Sequence, residues 1–235
     1  MENITISTNR ERACRERVLA VLEANNGAAA VKDFIVQQGA IRLENVITTR
    51  TEYSFNLFES QGTGTQTPTE IKLNRNDAFF VSDIALLIAK EVTGASAVPL
   101  ANTRLWSFPD AVTFSESGEV AALEAFYNAK LTFQTVPVSR LQAFDTNVFR
   151  FQPPTRVSAT AANAWGPSQA ERGYFPLSGE IILDGSQDNI INISLASNAS
   201  IAAAAGLTNQ QNILLVKLYG HRVINGAQKV GLFMN

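Results

Sequence analysis

Residues 71–92 read IKLNRNDAFFVSDIALLIAKEV, the most hydrophobic long stretch of the chain. How they fold decides the class. A membrane-spanning helix needs about 20 predominantly apolar residues. Here the apolar run extends only from Ala78 to Ala89 and carries Asp83 in its middle. As a helix, Phe80, Ile84, Leu87 and Ile88 would share a face. As a strand, Phe80, Ser82, Ile84, Leu86 and Ile88 would point one way, and Phe79, Val81, Asp83, Ala85, Leu87 and Ala89 the other. Periodicity alone does not separate the two. The surroundings do: NRND is a turn cluster, the flanking segments read as strands, and Phe79, Phe80 and Val81 favour extended backbone. The stretch is therefore read as a long, bent central strand, broken near Asp83.

Outward from it the strand signals continue. AIRLENVITTR and EYSFNLFES alternate and are rich in β-branched and aromatic residues. QGTGTQTPTE is a turn-rich loop without the GK[ST] ending of a phosphate loop. TRLWSFPDAVTF holds a strand that Pro109 interrupts or places at an edge. In FYNAKLTF, alternation sets Phe126, Asn128, Lys130 and Thr132 opposite Tyr127, Ala129, Leu131 and Phe133. NVFRF is a short strand, and QPPTRVSATAANAWGPSQAERG a long irregular connection. YFPLSGEIILDG and NIINISLA form two strands joined by a DGSQD hairpin. SNASIAAAAGLTNQQ is a loop or one helical turn. NILLVKLYGHRVING alternates at Leu214, Val216 and Leu218, and Asn225-Gly226 is a hairpin turn signal. Eight or nine short strands with long connections predict a mainly β fold, a sandwich or barrel of the jelly-roll type.

The N-terminus differs. Thr8 and Glu11 make a T-x-x-E capping box. RERACRERVLAVLEANNG then keeps Ala13, Cys14, Val18 and Leu22 near one helical stripe, closed by Asn25, Asn26 and Gly27. AAAVKDFIVQQG predicts a second short helix, with Val31, Phe34 and Ile35 inward and Gly39 as its stop. The division expected is a helical arm over residues 1–39 and a β domain over 40–235. Arg10, Arg12, Arg15 and Arg17, interleaved with Glu11 and Glu16, read as a solvated face with i,i+4 pairs, or as an arm that touches a partner or nucleic acid.

Composition narrows the function. Of 235 residues, 46% are hydrophobic and 17% charged, enough apolar material for a packed core and a largely neutral, polar surface. A net charge of −2 lacks the basic face of a nucleic-acid binder and leaves the N-terminal arm as the one place for such contact. With one cysteine, Cys14, there is no intrachain disulfide, and with one histidine, His221, a Cys/His zinc site is not expected. The opening MENITISTNRERACRERV has no signal-peptide core, and no spanning segment follows. Synthesis in a cytoplasm is expected.

Candidate chemistry is sparse. His221 would need a nucleophile and an orienting acid to act as a base, and reads as an edge or interface histidine. Arginines near Cys14 would favour its thiolate, but its place on the helix stripe suits a small packed residue. Asp110, Glu116, Glu119 and Glu124 come nearest to an acidic cluster, and Asp184 and Asp188 flank a turn that only loosely matches a calcium loop. Asn3, Asn192 and Asn198 begin N-x-[ST] triplets. Trp106 and Trp165, with Tyr174 and Phe175, offer a sugar-stacking platform or packed aromatics. No catalytic, cofactor-binding or metal-ligating residue is assigned, no cofactor is expected, and the chain is read as a non-enzyme.

The segments IKLNRNDAFFVSDIALLI, FYNAKLTF, FPLSGEIILDGSQDNIINISL and NILLVKLYGHRVING resemble jelly-roll capsid and coat proteins of bacterial viruses, over roughly Ile41 to Gly226. The resemblance rests on strand pattern and on phrases such as LNRNDAFFV and LDGSQDNIINISL. It implies a virion structural protein that self-assembles into a shell, partners that are copies of itself and other virion proteins, an arm tying neighbours together, and no catalysis. It carries no site residue with it. The rival reading is a carbohydrate-binding or adhesion sandwich built on the tryptophans. A glycoside-cleaving enzyme is the third.

Overall fold

The structure is a computed structural model. It describes residues 2–57, 69–93, 98–135, 138–151, 173–197 and 199–230, with side-chain surroundings for all of these except 2–11, 138–139 and 178–180. Eight strands are found among the described residues: β1 (Ile35–Val46), β2 (Glu52–Asn56), β3 (Ala78–Val92), β4 (Lys130–Thr135), β5 (Val138–Asp145), β6 (Tyr174–Asp184), β7 (Asn189–Ser194) and β8 (Gln210–Ile224). They form two four-stranded antiparallel sheets, ordered β1-β8-β3-β6 and β2-β7-β4-β5. The chain passes from one sheet to the other at every connection except β4 to β5. The two inner faces close on one apolar core that includes Tyr53, Phe55, Phe79, Leu86, Phe133, Ile191 and Val216. This is a β-sandwich.

The 71–92 stretch forms β3, central in the first sheet between β8 and β6. It is broken at Ser82, where the pairing to both neighbours shifts between Val81 and Asp83. The extra residue reverses the phase, because side chains alternate with a period of two. Phe79 and Val81 before the bulge, and Ile84, Leu86 and Ile88 after it, all face the sandwich core. The break falls where the sequence places it, near Asp83, and it sets Phe80 on the opposite face from Ile84, which corrects the shared face expected for Phe80, Ser82, Ile84, Leu86 and Ile88. The Ser82 hydroxyl lies 2.8 Å from Asp83 Oδ2 and 3.1 Å from the Tyr219 carbonyl, tying the bulge to β8. Across the sheet, Gly39 pairs with Gly220. A Cβ on Gly220 would stand 1.8 Å from the Phe80 carbonyl oxygen and 3.1 Å from the Phe79 ring, which also lies against Gly39. Two glycines thus make room for a bulged strand and one ring.

The outer face of this sheet is covered as well, which is why β3 reads as a continuous apolar run. At one end α1 (Glu2–Asn26) sets Val18 and Leu22 on Ala78, Phe80 and Val223. At the other, Leu100 and Leu105 cover Ala85, Leu87, Ala89, Ile213 and Leu215. The helix includes Thr8, so the capping box expected there does not start it. It ends at Gly27, whose φ of +83° suits glycine and whose N–H donates to the Glu23 carbonyl at 2.8 Å. The amides of Asn25 and Asn26 then donate to the carbonyls of Val230 and Lys229, at 3.3 and 2.8 Å.

Several local expectations are corrected. The second helix is only a 3-10 turn over Ala30–Asp33, and β1 begins at Ile35, which is 61% exposed rather than inward. Pairing along twelve residues with β8 outweighs local helix propensity there. Trp106 makes one bridge, to Ile88, and no strand forms around it. Phe126 and Tyr127 lie in a 3-10 turn (Ala125–Asn128) after α2 (Glu119–Glu124), so β4 starts only at Lys130. The Ala, Glu and Leu of EVAALE favour helix. NVFRF contributes a 3-10 turn, Thr146–Phe149, with the Asp145 carboxylate accepting from Asn147 N at 2.9 Å. Its strand is β5, just upstream. DGSQD is not a hairpin: β6 pairs with β3 and β7 with β2 and β4, so this turn crosses between sheets. Asn225-Gly226 ends β8, and no strand follows among the described residues. QGTGTQTPTE falls largely outside the described residues, and so does the connection over 152–172.

Candidate functional surfaces

The single cysteine and the single histidine face one cavity. Cys14, Arg17, Ser82, Leu177 and His221 line one cavity of about 160 Å³ between α1 and the bulge of β3. β8 aims His221 outward, opposite Phe80 and Gln38, and α1 covers it to 7% exposure. A space of this size holds a few waters at ~30 Å³ each. His221 is thus a buried residue under the helix rather than one at an open edge.

The acidic residues do not converge. Asp110 accepts from the Thr113 N–H and hydroxyl and closes a turn. Glu124 pairs with Arg150 at 2.5 Å. Glu119 is fully buried: its carboxylate takes Lys90 Nζ at 2.8 Å, Asn212 Nδ2 at 2.8 Å and the Glu116 N–H at 3.1 Å. This network ties α2 to β3 and β8. Asp184 accepts from the Ser186 N–H and hydroxyl and from the Gln228 N–H, and so organises the crossing turn. Among the described residues no group of three or more His, Cys, Asp or Glu side chains is placed to hold a metal ion.

Trp106 is 5% exposed and stands edge-on to Phe108 with ring centres 5.5 Å apart. It is a core residue, with Arg104 over its face at 5.3 Å. Phe175 packs on Phe144 and Phe149, and Tyr174 on Tyr219. Trp165 lies outside the described residues. Of the three N-x-[ST] triplets, Asn192 accepts from the Ser54 hydroxyl at 2.6 Å on the outer face of the second sheet. Asn198 and the Asn3 side chain fall outside the description.

Two surface features stand out instead. The first is the exposed flank of α1, where Arg12 pairs only loosely with Glu16: the contact is 2.9 Å, but the side chains are 80% and 63% exposed. Arg15 is exposed beside it. The second is a groove of about 520 Å³ at the far end of the first sheet, over the last residues of β1 and β3 and the first of β8. Val46, Leu100 and Ile213 give it an apolar floor, and Asn45, Glu91 and Gln211 a polar rim. Glu91 accepts from the Leu100 N–H at 3.2 Å and from the Gln211 amide. Val46 and Val98 are 40% and 41% exposed beside it. The sequence hinted at neither groove nor buried ion pair beyond the charges KE that end the apolar run of β3.

No protein-family model, curated protein or solved structure matched the chain. No helix among the described residues is long and apolar enough to cross a membrane.

Proposed function

We propose that this chain is a self-assembling coat building block of a bacterial virus, with α1 as its N-terminal helical arm. The strand order carries the reading. Sheets ordered β1-β8-β3-β6 and β2-β7-β4-β5, with the chain alternating between them, follow the double Greek-key path of a jelly roll. That architecture serves viral shells, lectins and metal-binding enzymes alike, so fold alone does not choose among them. Three features of the surface favour the shell. The carboxylates of Asp110, Glu119, Glu124 and Asp184 are spent on internal bonds. The aromatic platform a lectin would need at Trp106 is buried. An arginine-bearing helix and a half-apolar groove remain exposed at separate places, which suits contacts between copies.

In this reading the protein resides in the virion, has no catalytic role, and is held by many modest contacts between copies and with other virion proteins. Electron microscopy of the concentrated full-length protein tests it. Rings, capsomers or closed shells of uniform size are expected. Uniformly dispersed single molecules, with binding to glycans in a screen, would replace the proposal with the sugar-binding one.

A further inference from the structure

The arm and the groove lie at opposite corners of the same sheet. Val18 and Leu22 rest on Phe80 and Val223, while Ala13 and Cys14 line one cavity with Leu177 of β6, the edge strand. The helix therefore lies over β8 and β3, with its arginine-bearing half on the side of β6. The groove opens beside β1, the other edge, and at the far end of the strands. From Phe80 to Glu91 alone the separation is roughly 35 Å at ~3.3 Å per residue. A docked α1 cannot bring Arg12 or Arg15 to its own groove.

The two surfaces match chemically. An arginine has an apolar stem and a head that only donates hydrogen bonds. The groove has an apolar floor, of Val46, Leu100 and Ile213, below a polar rim of Glu91, Gln211 and Asn45. Asn45 Oδ1 already accepts from Arg50, and Glu91 from the Leu100 N–H and the Gln211 amide, so the remaining lone pairs of the Glu91 carboxylate are what a guanidinium would meet. Glu44 nearby is neutralised by Arg42 at 2.6 Å, so Glu91 supplies the charge that draws a guanidinium. The exposed Val46 and Val98 extend the apolar contact.

We infer that the groove receives the Arg12–Arg15 flank of α1 from a second copy of this chain. The inference deepens the coat-protein reading and rests on it. The contact is head-to-tail: one copy offers the helix, the next the groove. Repeated, such a contact makes a ring if the rotation closes and a chain if it does not.

Two full-length variants test it. R12E/R15E destroys the helix flank and leaves the groove; Ala101→Trp fills the groove from an exposed lining position and leaves the flank. Neither substitution touches the core, and circular dichroism would verify folding. By light scattering, the wild type is expected above the 25.5 kDa chain mass and each variant alone at it. Mixed in equal amounts, the two should give a species of twice the chain mass and nothing larger, since one intact flank meets one intact groove. If each variant alone assembles like the wild type, the helix–groove contact is overturned while the coat reading stands. A wild type that stays monomeric at all concentrations overturns both.

Discussion

Glu119 is held by contacts that no local reading of the chain joins. Lys90 lies 29 residues before it and Asn212 93 after it, so the sequence placed it in an acidic cluster with Asp110, Glu116 and Glu124. With the carboxylate fully buried, changing it to an amide leaves the Lys90 ammonium in the core without its counter-charge. Glu119→Gln should cost about 3–5 kcal/mol in urea unfolding, and a loss under 1 kcal/mol would contradict the role given to this pair. Tyr127 makes a different test. Burial pushes its phenol well above the usual tyrosine range, with Arg150 opposing in part. The folded state thus keeps a proton that the unfolded chain gives up near pH 10. Stability is whole below that pH and falls above it, by up to ~1.4 kcal/mol per unit. Between pH 8 and 11 the wild type should lose more stability than Tyr127→Phe, and equal losses would show that this residue is not the cause.

At the scale of elements, the strands of the second sheet are legible where one face is buried and the other wet. β2 and β7 show this, with alternating Tyr53, Phe55, Ile191 and Ile193 turned inward. β3 was legible as a strand broken near Asp83, but the exchange of faces there was not, since one bulge residue reverses every side chain after it and carries no distinctive residue type. Deleting Ser82 should move Ile84, Leu86 and Ile88 out of the core and abolish cooperative unfolding; a folded, soluble deletion would overturn the bulge account. β5 escaped notice because its pairing with β4 is broken twice and Ala143 has a φ of +51°. The groove escaped because its lining comes from three strands and two connecting segments far apart in sequence. Of the stripe expected on α1, Val18 and Leu22 are buried, Cys14 is half-buried and Ala13 is exposed. Leu22→Ala should loosen it by about 2 kcal/mol or more, enough to speed thiol labelling of Cys14 at least roughly tenfold. Unchanged labelling would mean that Leu22 does not hold the helix down.

Over the whole molecule the two sheets differ. The first is buried on both faces, under α1 at one end and the Leu100–Leu105 segment at the other. The second shows solvent a polar face, with Ser54, Asn56, Lys130 and Gln134 outward. In the proposed assembly the core stabilises the body and association is left to its corners, where the helix flank and the groove lie. Arg12 and Glu91 would give that contact an electrostatic part, so it should weaken with salt over the range where the Debye length falls from about 10 Å at 0.1 M to about 3 Å at 1 M. The most direct measurement is the molar mass of the full-length protein by size-exclusion light scattering across a wide concentration range. The account predicts a discrete oligomer, or a shell, that is several times the 25.5 kDa chain mass and dissociates on dilution. A single-chain mass at every concentration would contradict it.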